Sequence, residues 1–146
     1  MRVSKDETYL AIAKAMAGRT TCCRRGVGAV AVDIKGIILA TAYNGVPAGY
    51  PHCNEGRPCS GALSPSGTNL DGCEALHAET NLVLHLPDTQ KVYTIYLTVS
   101  PCFNCTKTLL GTSAQRIVFS EQYPGWEKSQ ELWTRMNRSW EFFSKK

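Results

Sequence analysis

At 146 residues, 43% of them hydrophobic and 19% charged, the chain has the composition of one globular domain around one core, which excludes a disordered or fibrous protein. A net charge of +4 is a mild bias that favours an anionic ligand, and no uninterrupted basic run of the nucleic-acid-binding kind accompanies it. Seven cysteines are the unusual count: Cys22, Cys23, Cys53, Cys59, Cys73, Cys102 and Cys105.

The opening MRVSKDETYLAIAKAMAG is interrupted by Lys5, Asp6, Glu7 and Lys14, so it reads as neither a signal peptide nor a membrane span. The expectation is an unexported, cytoplasmic protein with no membrane and no nucleic-acid partner, in which clustered thiols ligate metal and do not pair as disulfides. Ser4 and Glu7 form a capping-box pattern ahead of Leu10, Ala13 and Ala17 at helical spacing, with Gly18 as a left-handed stop. VGAVAVD from Val27 and IILATAY ending at Tyr43 predict an antiparallel hairpin turning at Lys35-Gly36, and Asn44-Gly45 closes the second strand in a turn.

The stretch from Val46 to Gly72 is rich in proline and glycine and poor in large apolar residues, so something other than hydrophobic packing must hold it. Asp71 can cap a helix running through His77 to Leu86, stopped by Pro87. VYTIYLTV from Val92 to Val99 predicts a strand, and Ser100-Pro101 an N-cap with proline at the first helical position, opening a helix through Cys102, Cys105, Leu109 and Leu110. RIVFS from Arg116 predicts a strand, residues 127–136 a helix, and SWEFFS from Ser139 a short final strand. The order αββαβαβαβ implies a single domain over residues 1–146, of α/β class, with a mixed five-stranded sheet between two helical layers.

PCFNC places Cys102 and Cys105 at i and i+3 near a helix start, where both point to one face and the helix N-terminus favours thiolate. Alone, C-x-x-C is equally a redox pair or half of a structural zinc site. A lone His77 would read as a packed helix histidine and a lone Glu79 as a solvated charge, but the two form His-x-Glu near a helix start one strand earlier. Strands running the same way bring the helices that follow them to one sheet edge, which predicts His77 beside Cys102 and Cys105. Three such ligands hold Zn²⁺ and leave one position for water, whose proton Glu79 can take as general acid/base.

His-x-Glu followed by Pro-Cys-x-x-Cys resembles the zinc nucleobase deaminases. Within them TTCCRRGVGAV, AYNGVPAGYPHC, CEALHAETN and TVSPCFNC, in that order, are similar to the deoxycytidylate (dCMP) deaminases of phages and bacteria, over about Ala11 to Phe143. The resemblance implies a three-layer α/β/α cytidine-deaminase-like fold and hydrolysis of dCMP to dUMP and ammonia, supplying dUMP for thymidylate. It implies His77, Cys102 and Cys105 as the catalytic zinc ligands, Glu79 as proton shuttle, the Ala78 N–H and Ser100 carbonyl at the pyrimidine, Asn44 at the sugar hydroxyl and Arg24 at the phosphate, with Arg25 competing.

In relatives, cysteines matching Cys22 and Cys53 help bind a second, structural zinc, which Cys59 and Cys73 could complete here, with His52 able to replace one thiolate. Four thiolates would leave that site negative, so Arg24, Arg25 or Arg57 could serve as its electrostatic partners instead of as substrate contacts. The family further implies a homo-hexamer activated by dCTP and inhibited by dTTP with Mg²⁺, at a Gly-Tyr-Asn-Gly block that reads Ala42-Tyr43-Asn44-Gly45 in this chain. The rival readings are the same chemistry on tRNA adenosine or free cytidine, and a non-catalytic zinc-binding interaction module.

Overall fold

The computed structural model of the chain describes residues 2–20, 25–46 and 76–144. In chain order these form α1 (Lys5–Ala17), β1 (Gly28–Val32), β2 (Ile38–Tyr43), α2 (Ala78–His85), β3 (Thr94–Val99), α3 (Phe103–Leu110), β4 (Arg116–Glu121), α4 (Trp126–Arg135) and β5 (Ser139–Phe142), the element order expected from the sequence. The sheet order is β2-β1-β3-β4-β5. Because β1 is antiparallel to both β2 and β3, while β3, β4 and β5 are mutually parallel, only β1 runs against the others. The C-terminal ends of β2, β3 and β4 therefore share one edge of the sheet.

Alternation along the strands sorts the side chains into two layers. Val30, Val32, Tyr96 and Val118 face α1 and pack on its Leu10 and Ala13. Ala29, Ala31, Ile95, Leu97, Ile117 and Phe119 face the other way, where Ala78 and Leu82 of α2, Leu109 of α3 and Trp133 of α4 cover them. Each fully buried Leu, Ile or Phe contributes about 1.5–3 kcal/mol. Gly28 is required where α1 crosses β1, since a Cβ there would lie 1.7 Å from the Ala13 carbonyl oxygen. Gly36 takes φ +86° in the hairpin turn, a conformation suited to glycine.

Local signals set most element ends, with three differences from expectation. The Ser4 hydroxyl accepts from the Glu7 N–H at 3.1 Å, as a capping box requires, but Gly18 ends α1 right-handed at φ −65°. The helix predicted through His77 begins after it, with His77 extended at φ −63° and ψ 152°, because Leu76 is drawn into an antiparallel bridge with Gly45. Asp71, its predicted cap, lies outside the described residues. At α3 the N-cap is Cys102 and not Ser100, whose hydroxyl accepts instead from the Tyr123 N–H at 2.7 Å. Beyond α3, Arg138 donates to the carbonyls of Leu110, Thr112 and Ala114 and lies 5.1 Å above the Trp133 ring, satisfying acceptors that the helix end leaves open.

Away from the edge shared by β2, β3 and β4, Arg116 joins three elements. Its guanidinium donates to both Glu141 carboxylate oxygens at 2.7 and 2.8 Å and to Asp6 at 3.0 Å, and Asp6 also accepts from the Tyr96 hydroxyl at 2.6 Å. Burial pushes the Asp6 carboxyl up, but the Tyr96 and Arg116 hydrogen bonds overcome it and hold the group below its ordinary 3.8; Arg116 likewise holds Glu141 below 4.5. Both folded-state values are depressed, so the stabilisation is present above the unfolded-state values and is lost as pH falls through the folded ones. Arg116→Met is expected to cost about 2 kcal/mol at pH 7, between the surface and buried limits for ion pairs. Urea unfolding checks this, with the gap from wild type closing as pH falls below about 4.

Candidate metal and catalytic centre

Two helix starts meet at the common sheet edge. β3 delivers its chain into Ser100-Pro101, which is pinned by the Ser100 N–H donating to the Glu121 carbonyl at 2.8 Å and by the Tyr123 bond to the Ser100 hydroxyl. This places Cys102 at the N-cap of α3 and Cys105 in its first turn. The Gly45–Leu76 bridge, with N–H to carbonyl distances of 2.9 and 3.0 Å, fixes the residue before His77, which is the N-cap of α2.

The predicted ligands converge. His77 Nδ1 lies 3.2 Å from Cys105 Sγ and 3.7 Å from Cys102 Sγ, and all three ligand atoms fall within 4.8 Å of one another. Ordinary Zn–S and Zn–N lengths in a tetrahedron set N···S edges of about 3.6 Å and S···S edges of about 3.8 Å, so among the described residues the arrangement fits three corners of a zinc tetrahedron. Both thiols are free of disulfides. A hydrogen bond from Cys105 pulls the Cys102 thiol down to about 4 against the opposing effect of burial, with His77 assisting. Hydrogen bonding to Cys102, then burial, pushes Cys105 up. Both thiols must give up their protons to bind a metal ion.

Glu79 sits in the first turn of α2, 5% exposed. Burial pushes its carboxyl up to about 7, against the attraction of the neighbouring His77. A buried carboxyl beside three metal-capable groups is placed for general acid/base work.

Ala78 and Ser100 are both buried, one at the start of α2 and the other beside the Cys102 turn. Asn44 is 8% exposed and its amide is fully oriented: Oδ1 accepts from the Val27 N–H at 2.8 Å and Nδ2 donates to the Arg25 carbonyl at 2.6 Å. Ala42 is buried in β2 opposite Ala29 and, like Tyr43, has negative φ. Gly45 also has negative φ, so the backbone freedom that glycine offers is not used there. Arg25 pairs with Glu121 at 2.7 Å, at the same sheet edge. Cys22, Cys23, Arg24, His52, Cys53, Arg57, Cys59 and Cys73 lie outside the described residues. Sequence reasoning missed Asn81, whose amide donates to the Tyr43 and Gly45 carbonyls at 2.9 and 3.3 Å. Its only signal was a polar residue one turn after His77 on the same helix.

Residues 3–121 match the model of the cytidine and deoxycytidylate deaminase zinc-binding region. The chain is 35% identical to the deoxycytidylate deaminase of Mycobacterium phage D29, over 80% of this chain and 94% of that one. It is 29% identical to the deoxycytidylate deaminase of Enterobacteria phage T2, over 84% and 85% of the two chains. The crystal structure of a dCMP deaminase from the cyanophage S-TIM5, in complex with dCMP and dUMP, superposes with a TM-score of 0.75 at 22% identity, covering 98% of this chain and 99% of that one. The mixed five-stranded sheet and its helices thus share that fold.

Proposed function

The chain belongs to the cytidine and deoxycytidylate deaminase zinc-binding family, and from that premise we propose that it hydrolyses dCMP to dUMP and ammonia. The observation that carries the reading is the convergence of His77, Cys102 and Cys105 beside a buried Glu79. A purely structural zinc site has no use for such a carboxyl. The substrate is drawn from the phage D29 relative, matched over nearly its whole length.

Zinc bound by the three ligands would supply Lewis acidity that brings a water's pKa toward neutrality. The chain's own groups do the rest. Glu79 accepts a proton from water, delivers one to N3 of the cytosine, and passes a proton to the departing amine; a C4–O bond forms, the C4–N bond breaks, and ammonia leaves. The Ala78 N–H belongs to the first turn of α2, where backbone donors have no intrahelical acceptor, and it meets the pyrimidine O2. The Ser100 carbonyl orients the amino group and Asn44 the sugar hydroxyl. Arg24 or Arg25 binds the phosphate.

The reading extends to a cytoplasmic homo-hexamer that supplies dUMP for thymidylate, with dCTP and Mg²⁺ activating and dTTP inhibiting at Ala42, Tyr43, Asn44 and Gly45. Negative φ at Ala42 supports tolerance of its methyl group in place of the family's glycine. A second zinc on Cys22, Cys53, Cys59 and Cys73 would hold the Val46 to Gly72 stretch. Among the described residues no helix is long and apolar enough to cross a membrane. Ammonia release from a panel of dCMP, CMP, deoxycytidine, dCTP and adenosine-containing tRNA tests the substrate. dCMP is expected to give the highest kcat/KM by at least about 10-fold, and a preference for deoxycytidine or tRNA would replace this reading.

A further inference from the structure

The Tyr43-Asn44-Gly45 segment has no regular pairing of its own beyond the end of β2, yet it is tied down from three sides. On one side the Asn44 amide bonds Val27 and Arg25, and the Asn44 N–H donates to the Val27 carbonyl at 3.1 Å. From a second, the Thr20 hydroxyl donates to the Asn44 carbonyl at 3.1 Å. On the third, Asn81 spends both amide hydrogens on the carbonyls flanking Asn44, those of Tyr43 and Gly45, while Gly45 pairs with Leu76. Because both partners of Asn81 are carbonyl oxygens, the NH₂ end of its amide must face them.

Resting on the proposed dCMP reading, we infer that Asn81 is a positioning residue that sets the distance between the sugar-reading Asn44 and the reacting groups of α2. Asn81 stands one helical turn after His77 and half a turn after Glu79, on the helix that carries both. Its fork therefore joins the backbone on either side of Asn44 directly to the element that holds the proton carrier. Asn44 itself retains one donor and one acceptor after its two side-chain bonds, enough to meet a hydroxyl but only in the direction that the fork permits. Loss of the fork frees two carbonyls and lets the segment shift, which misplaces Asn44 without touching the metal ligands. The consequence falls on recognition of the sugar, not on the chemical step.

The test compares dCMP with its 3′-deoxy analogue, 2′,3′-dideoxycytidine monophosphate, in zinc-loaded wild type, Asn44→Ala, Asn81→Ala and Asn81→Gln. Wild type is expected to prefer dCMP by about 10-fold or more in kcat/KM, because the analogue leaves Asn44 without its partner. Asn81→Ala should keep its zinc and keep kcat within about 3-fold, raise KM about 10-fold, and lose most of that preference, as Asn44→Ala does. Asn81→Gln, which retains the donor on a longer arm, should recover part of it, and it carries the comparison if Asn81→Ala does not fold. A merely structural role would lower stability, or kcat for both substrates alike, with the preference intact; that result overturns the inference and leaves the dCMP reading standing. Equal turnover of both substrates by wild type would remove the sugar contact and the inference with it, and absence of dCMP turnover would remove the functional reading as well.

Discussion

Glu79→Gln is expected to lower kcat for dCMP by at least about 10²–10⁴-fold while leaving bound zinc and the fold unchanged. The substitution preserves shape and burial but removes the carboxyl beside the triad that carries a proton between water, ring nitrogen and amine in the proposed reaction. Steady-state kinetics with metal analysis and a melting curve on one preparation checks activity, zinc content and fold together. A variant with near-native kcat would remove Glu79 from the mechanism.

The site was more legible in the sequence than its supports. His77, Glu79, Cys102 and Cys105 occur at spacings that chemistry imposes, and the β-rich runs before the helices are distinct enough to fix the order of elements and so the shared edge. Helix starts were read less well because local capping signals ignore distant competitors. Ser100 looks like a cap until Tyr123, 23 residues on, takes its hydroxyl. Leu76 looks helical until Gly45 takes its backbone. Asn81 and Arg116 escaped notice for the same reason, since their partners lie 36 or more residues away in Asn81's case and 110 away for Arg116 with Asp6. In a single sequence a polar residue at helical or strand spacing carries no mark of such a bond.

The second large effect concerns the metal. His77 lies at the start of α2 and the two thiols at the start of α3, so a bound zinc ion would be held from both. Removing one ligand leaves a two-point site, and affinity should collapse, since each ligand bond is a large part of a binding free energy on the order of 10 kcal/mol. His77→Ala is chosen over a cysteine variant because it leaves the Cys102–Cys105 thiol pair intact. The fold should survive, since the cores on both sheet faces are built from Ile95, Leu97, Phe119, Val30, Val118 and their neighbours, none of them a ligand.

The decisive measurement is zinc per chain and dUMP formation together, on wild type stripped by a chelator and titrated back with zinc, and on His77→Ala carried through the same cycle. Wild-type turnover should fall below detection on stripping and return in proportion to the zinc that His77→Ala fails to take up, while that variant makes no dUMP at any zinc level. Turnover by the stripped protein, or dUMP formation by His77→Ala at a rate near wild type, would contradict a zinc-dependent reaction at His77, Cys102 and Cys105.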